Sequence, residues 1–121
     1  REILIKSVKT RLRSDVETAF LLSGGVDSSS LVSIASNFLG KKINTFSLVD
    51  TDDRYNEKRE IDFTVKDTSC KNHIIEINKK DFFQKIKNNI NYYHEPLPTI
   101  SAYIHNELIK NIKKITQKLK F

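Results

Sequence analysis

Between residues 18 and 38 an apolar run, a pair of glycines and an amphipathic stretch follow one another without a spacer. Thr18 to Leu22 reads as a short apolar strand of the kind buried on both faces of a parallel sheet. Gly24 and Gly25 break it, and a helix follows from about Ser28 to Phe38, with Leu31, Ile34, Ala35 and Phe38 on one face and Gly40 as its stop. A strand that passes so directly into a helix calls for the rest of an alternating α/β chain.

The remaining pattern supplies it. Leu4, Val8 and Leu12 recur at four-residue spacing and predict an amphipathic helix over 2–13. Ile43 to Val49 reads as a second strand, Asp50 to Asn56 as an Asp-rich polar loop, and Glu57 to Ser69 as a helix. His73 to Ile77 predicts a third strand. A helix over about 81–92 follows, with Asp81 as N-terminal cap and Phe82, Phe83, Ile86 and Ile90 as its buried stripe. After the Pro-punctuated loop His94-Glu95-Pro96-Leu97-Pro98, a last helix over about 99–118 carries Tyr103, Ile104, Leu108, Ile112 and Ile115. Alternation of this kind predicts a parallel sheet with right-handed crossovers. Three strands leave exposed edges, and the expectation is a domain present only in part.

Composition narrows the function classes. The 121 residues suffice for one hydrophobic core, and 38% hydrophobic with 30% charged residues suits a globular chain. No apolar run is long enough to span a bilayer, and the charged start Arg1-Glu2-Ile3-Leu4-Ile5-Lys6 does not read as a signal peptide. Cys70, the single cysteine, has no internal partner, which points to a reducing cytoplasm; a structural role is favoured over a nucleophilic one. The net charge of +6 raises nucleic acid as a partner. The lysines are spread over predicted helix faces, with a denser cluster at Lys110, Lys113, Lys114, Lys118 and Lys120, and lack interleaved aromatics, which argues for a solvated face instead.

Ser23-Gly24-Gly25-Val26-Asp27-Ser28-Ser29 at the strand–helix junction carries the chemistry. Glycines let the backbone approach phosphate oxygens, and the helix start offers unpaired N–H groups and a positive dipole end. Ser23, Ser28 and Ser29 add hydroxyl donors. Asp27 would repel a bare phosphate and makes sense chiefly as a ligand to hydrated Mg²⁺. Neither G-x-x-x-x-G-K-[ST] nor G-x-G-x-x-G is present.

S-G-G-x-D-S is the signature of the ATP-pyrophosphatases, which split ATP between the α and β phosphates. Arg11-Leu12-Arg13-Ser14-Asp15-Val16, a short gap, then Phe20-Leu21-Leu22 and the loop resemble the entry to the synthetase domain of asparagine synthetases. Thr45-Phe46-Ser47-Leu48, Tyr55-Asn56-Glu57, His73-Ile74-Ile75-Glu76-Ile77 and Glu95-Pro96-Leu97-Pro98-Thr99-Ile100-Ser101 continue the resemblance more weakly. It implies a Rossmann-like, doubly wound parallel sheet of the adenine nucleotide alpha-hydrolase type. It also implies ATP and Mg²⁺, adenylation of a carboxylate (aspartate by resemblance), and ammonia supplied by a glutaminase domain or chain. Neither that domain nor the S-G-x-G-x-D-E loop, with its second metal carboxylate, occurs within residues 1–121. The expectation is therefore nucleotide binding without aspartate-dependent pyrophosphate release.

By the same resemblance Ser23, Gly24, Gly25, Asp27 and Ser28 hold ATP and its pyrophosphate, with Asp27 also on the metal. Ser29 joins them or merely caps the helix, and Leu22, Leu48 and Val49 either reach adenine and ribose or belong to the core. Arg13 and Asp15 order the loop or form a surface pair. His73 and His94 read as structural, and Glu95 and Thr99 either line a substrate pocket or shape their loop. Three alternatives stand beside the asparagine-forming reading: an amidotransferase for another carboxylate, a tRNA-modifying adenylase, and a nucleotide-binding fragment without activity.

Overall fold

The alternating pattern is realised in a computed structural model that describes residues 1–50, 56–76 and 80–119. The chain forms two units, residues 1–76 and 77–121. In the first, β1 (Ala19–Leu21), β2 (Asn44–Val49) and β3 (Lys71–Glu76) make a parallel sheet in the order β1-β2-β3. The helices α1 (Glu2–Arg11), α2 (Val26–Ser33) and α3 (Lys58–Thr68) complete a Rossmann-like α/β arrangement. Their core gathers Val8, Leu22, Val32, Ile34, Ala35, Ile43, Ile61 and Cys70. Among the described residues no helix is long and apolar enough to cross a membrane.

Several faces differ from the expected ones. A strict four-residue spacing drifts around a helix of 3.6 residues per turn, so α1 turns Ile5, Val8 and Leu12 to the core and leaves Leu4 exposed. On α2 the buried position is Val32 rather than Leu31. The helix then widens into a π turn over Ile34–Phe38, closed by the Leu39 amide donating to the Ile34 carbonyl (3.0 Å), and both side chains pack in the core while Phe38 is exposed. Gly40 stops it as expected: at φ +61° its amide donates to the Ser36 carbonyl (2.9 Å) and Lys41's to that of Ala35 (3.0 Å).

Strand β1 is not covered on both faces. It lies at one edge of the described sheet; Leu22 is buried and Leu21 is 51% exposed. Strand β3 begins earlier than expected, at Lys71. Loop residues 51–55, including Tyr55, and the strand end at Ile77 lie outside the described residues, as do Lys120 and Phe121.

The helix after β2 matches its expected span, from Glu57 at the N-cap to Ser69 in the left-handed region at the C-cap. Asn56 Oδ1 accepts the Lys58 amide (3.0 Å) and so satisfies one free donor of the first turn. Polar contacts tie α3 to the α2 segment. Ser29 and Thr64 join through their hydroxyls (3.1 Å), the Ser36 hydroxyl donates to the Thr68 carbonyl (2.7 Å), and the Asn37 amide to Asp67 (3.1 Å).

In the second unit α4 (Phe82–Tyr93) pairs with α5 (Ile100–Leu119). Phe82 meets Tyr103 edge to face at 5.0 Å, and the Tyr93 hydroxyl donates to Asn106 (3.0 Å). Glu107 bonds Lys85 and Lys110, both at 3.1 Å. Burial alone would raise its carboxyl, and the two ammonium groups outweigh that and lower it. The expected stripe of α4 is corrected: Phe83 and Ile90 are exposed and Asn89 is buried, because 82, 86 and 89 follow the helical period while 83 and 90 sit about 80–100° away from 82. Asp81 stands at the N-cap in the left-handed region, but its side chain makes no capping hydrogen bond.

Candidate functional site

The loop begins where β1 runs out. The Leu22 amide still donates to the Phe46 carbonyl (2.9 Å), and Ser23 then leaves the sheet. Gly24 takes φ +85°, a conformation that suits glycine, and the start of α3 leaves no room for a side chain on it. A Cβ there would lie 3.1 Å from Glu57 Cβ and 3.2 Å from both the Glu57 carbonyl oxygen and Glu60 Cβ. Gly24 is therefore demanded twice, by its backbone and by its neighbour.

Gly25 is the N-cap of α2, which starts at Val26 rather than at Ser28, so Asp27 and Ser28 belong to its first turn. Gly25 offers no side-chain cap. The first helical bond runs from the Ser29 amide to the Gly25 carbonyl (3.1 Å), which leaves the amides of Val26, Asp27 and Ser28 as the donors at this helix end. A side chain at Gly25 would occupy the space over the Ser23 hydroxyl, its Cβ 3.4 Å from the oxygen.

Ser28 ties the loop together. Its hydroxyl donates to the Gly25 carbonyl (3.1 Å), accepts the Ser23 amide (3.3 Å) and lies 3.1 Å from the Ser23 hydroxyl, which also accepts the Gly25 amide (3.4 Å). Two hydroxyls and a helix end free of side-chain caps thus meet in one short turn. The three amides suit an anion as they stand, and the two hydroxyls, whose protons are engaged within the turn, would join them by rotating toward it. Asp27 is exposed in the first turn of α2. Among the described residues no three His, Cys, Asp or Glu side chains group to hold a metal ion. A divalent ion here would rest on this one carboxylate and on ligand oxygens, a set that Mg²⁺ commonly accepts.

The other expected site residues separate. Ser29 turns its hydroxyl to Thr64 of α3. Gly24, Val26 and Ser29 border an open groove of about 970 Å³ between α2 and α3. Leu22 is a core residue and Val49 packs on the core, on the same face of the sheet, while Leu48 alternates to the opposite face of β2, half-buried. Arg13 and Asp15 are exposed before β1, and no ion pair joins the two. Glu95 and Thr99 are exposed in the second unit, where His94 ends α4 in the left-handed region at φ 57°.

Cys70 is buried in the core, its sulfur 3.4 Å from the Thr45 hydroxyl. His73 stacks on Phe46 (4.9 Å, 22°), and Nε2 meets Asn44 Oδ1 at 3.2 Å, so Nε2 carries the hydrogen. Burial, then the charge of Lys71, holds its pKa below the usual value of 6.5. The unfolded chain therefore binds more protons at this position just below that value, and stability falls as pH falls into that window. Melting between about pH 7.5 and about pH 5.5 should cost the wild type more than His73→Phe, which keeps an aromatic ring and cannot titrate. Equal losses would show that His73 does not contribute.

Sequence reading named Thr45 and Ser47 only as part of a resembling strand, and passed over their buried hydroxyls and Thr64. Thr45 and Ser47 are fully buried and both donate to Asn72 Oδ1 (2.9 and 3.0 Å), and Thr64 is buried on α3. Alternation of Thr45 and Ser47 along β2 was the available signal; their shared acceptor on β3 was not.

Comparison with known proteins identifies a family. The asparagine synthase family profile matches residues 1–118. A protein of Methanocaldococcus jannaschii named "Putative asparagine synthetase (glutamine-hydrolyzing) 2" is 32% identical over 104 residues, covering 85% of this chain and 20% of that protein. The chain thus spans about a fifth of the length of this curated relative. With the S-G-G-x-D-S turn closing a parallel strand onto a helix start and the profile running through nearly every residue, the chain belongs to the asparagine synthase family.

Proposed function

We propose that this chain is the nucleotide-binding portion of an ATP-dependent amide-forming ligase. The observation that carries the reading is the turn at Ser23–Ser28, where two linked hydroxyls face a helix end without a side-chain cap, in a chain of the asparagine synthase family. The pyrophosphate of ATP would lie on the amides of Val26, Asp27 and Ser28 and the hydroxyls of Ser23 and Ser28. Leu48, half-buried at the end of β2, would meet the base or ribose.

In the proposed reaction a substrate carboxylate oxygen, that of aspartate's side chain, bonds to the α phosphorus. The bond from that phosphorus to the α–β bridging oxygen breaks, and pyrophosphate leaves with the electron pair. Ammonia, derived from glutamine as the relative's name implies for that protein, then attacks the acyl carbon and displaces AMP. Bound Mg²⁺ would neutralise charge on the phosphates. The chain's own part is electrostatic: fixed donors meet the charge that grows on the departing pyrophosphate.

Two measurements test this. With ATP and Mg²⁺ added, the amides of Val26, Asp27 and Ser28 should show the largest NMR shifts; shifts centred elsewhere overturn the site. Supplying the complete ligase of which this chain is proposed to be a portion with ATP, Mg²⁺, an ammonium salt and a panel of carboxylates, and measuring AMP and pyrophosphate, tests the substrate. Release that depends on aspartate supports it, and dependence on another carboxylate reassigns it. Formation of ADP and phosphate overturns the reaction class.

A further inference from the structure

We propose that Thr64 is a positioning residue for the phosphate loop, acting through the Ser29 hydroxyl. The inference rests on the phosphate-binding reading above. Thr64 is buried on α3 (6% exposed), and its Oγ1 lies 3.1 Å from Ser29 Oγ and 3.1 Å from the Glu60 carbonyl oxygen. A threonine hydroxyl has one proton. If that proton goes to Glu60, Ser29 must donate to Thr64; if it goes to Ser29, the bond runs the other way. Either assignment joins α3 to the first helical residue whose amide is already held inside α2.

That position matters for the donors ahead of it. The Ser29 amide closes on the Gly25 carbonyl, so Gly25, Val26, Asp27 and Ser28 form the turn between a tethered residue and the packed Gly24. Thr64 fixes one end of that turn, and the start of α3, which leaves no room for a side chain at Gly24, bounds the other. Both anchors lie on α3. A preorganised donor set binds its anion without first having to order itself. Loosening the Ser29 end should weaken anion binding although Thr64 itself touches no ligand.

The test is a double-mutant cycle on the whole chain, with inorganic pyrophosphate and Mg²⁺ as the probe. Thr64→Val keeps the shape and removes the hydroxyl, and Ser29→Ala removes its partner. Each should raise the pyrophosphate Kd by about three- to tenfold, the effect of one net hydrogen bond. The double variant should be no weaker than the worse single one, and Thr64→Ser should recover most of the affinity. A role in helix packing alone would lower the melting temperature and leave Kd unchanged at temperatures where every variant is folded, and that result overturns the assignment. So does full additivity of the two losses, which would mean that Thr64 does not act through Ser29. Should Thr64→Val fail to fold, Ser29→Ala reads the same bond from the less buried side, and an unchanged Kd there is also fatal. A wild-type chain that binds no pyrophosphate overturns the phosphate-loop reading itself, and this inference with it.

Discussion

Gly24→Ala is expected to destabilise the first unit by about 2–4 kcal/mol and to abolish measurable ATP binding. Two costs add. At φ +85° an alanine sits in the left-handed region, at about 1–2 kcal/mol. Its methyl would also meet Glu57 Cβ at 3.1 Å and the Glu57 carbonyl at 3.2 Å, at the N-cap of α3, where a backbone atom cannot swing aside as a flexible side-chain end can. Relief requires α3 to back away, and the Ser29–Thr64 tether opposes that movement. Gly40→Ala is the control, because it shares the positive φ (+61°) but would meet nothing within 4 Å. Urea unfolding of the two variants separates conformational strain from crowding. Equal losses would mean that contact with α3 adds nothing.

Asp27→Ala should remove the Mg²⁺ dependence of ATP binding, with Mg²⁺–ATP affinity falling roughly tenfold or more if the ion joins carboxylate to phosphate. The sign differs without metal. There Asp27 only repels the phosphates from the first turn of α2, so metal-free ATP should bind the variant at least as well as the wild type. The stability change should stay within about 1 kcal/mol, the usual worth of an acidic side chain at a helix N-terminus. Titrating ATP with and without Mg²⁺ in both proteins gives the four affinities needed. An unchanged ratio in Asp27→Ala would leave the carboxylate serving only the helix dipole.

Element order and the position of the loop were legible because both are local. A parallel strand entering a helix through Ser23-Gly24-Gly25 is written in adjacent residues, as are the stop at Gly40 and the span of α3. Helix faces were less legible. Leu4 lies on the four-residue repeat of α1 yet is exposed, and Val32 displaces Leu31 on α2, since a fraction of a turn decides which of two apolar neighbours meets the sheet. Phe83 fails for the same reason on α4.

By itself the sequence determined the α/β class, the order of strands and helices and the place of the glycine turn, because periodicity and turn residues act over a few neighbouring positions. Only the tertiary structure decided what holds the loop in place. The reason Gly24 must be a glycine lies partly in Glu57 and Glu60, and the partner of Ser29 is Thr64, on a helix reached only after another strand. Thr45 and Ser47 found their common acceptor on β3 in the same way. Contacts of this kind join residues distant in sequence and leave no periodic trace along the chain. They form when the parallel sheet brings its crossover helices side by side.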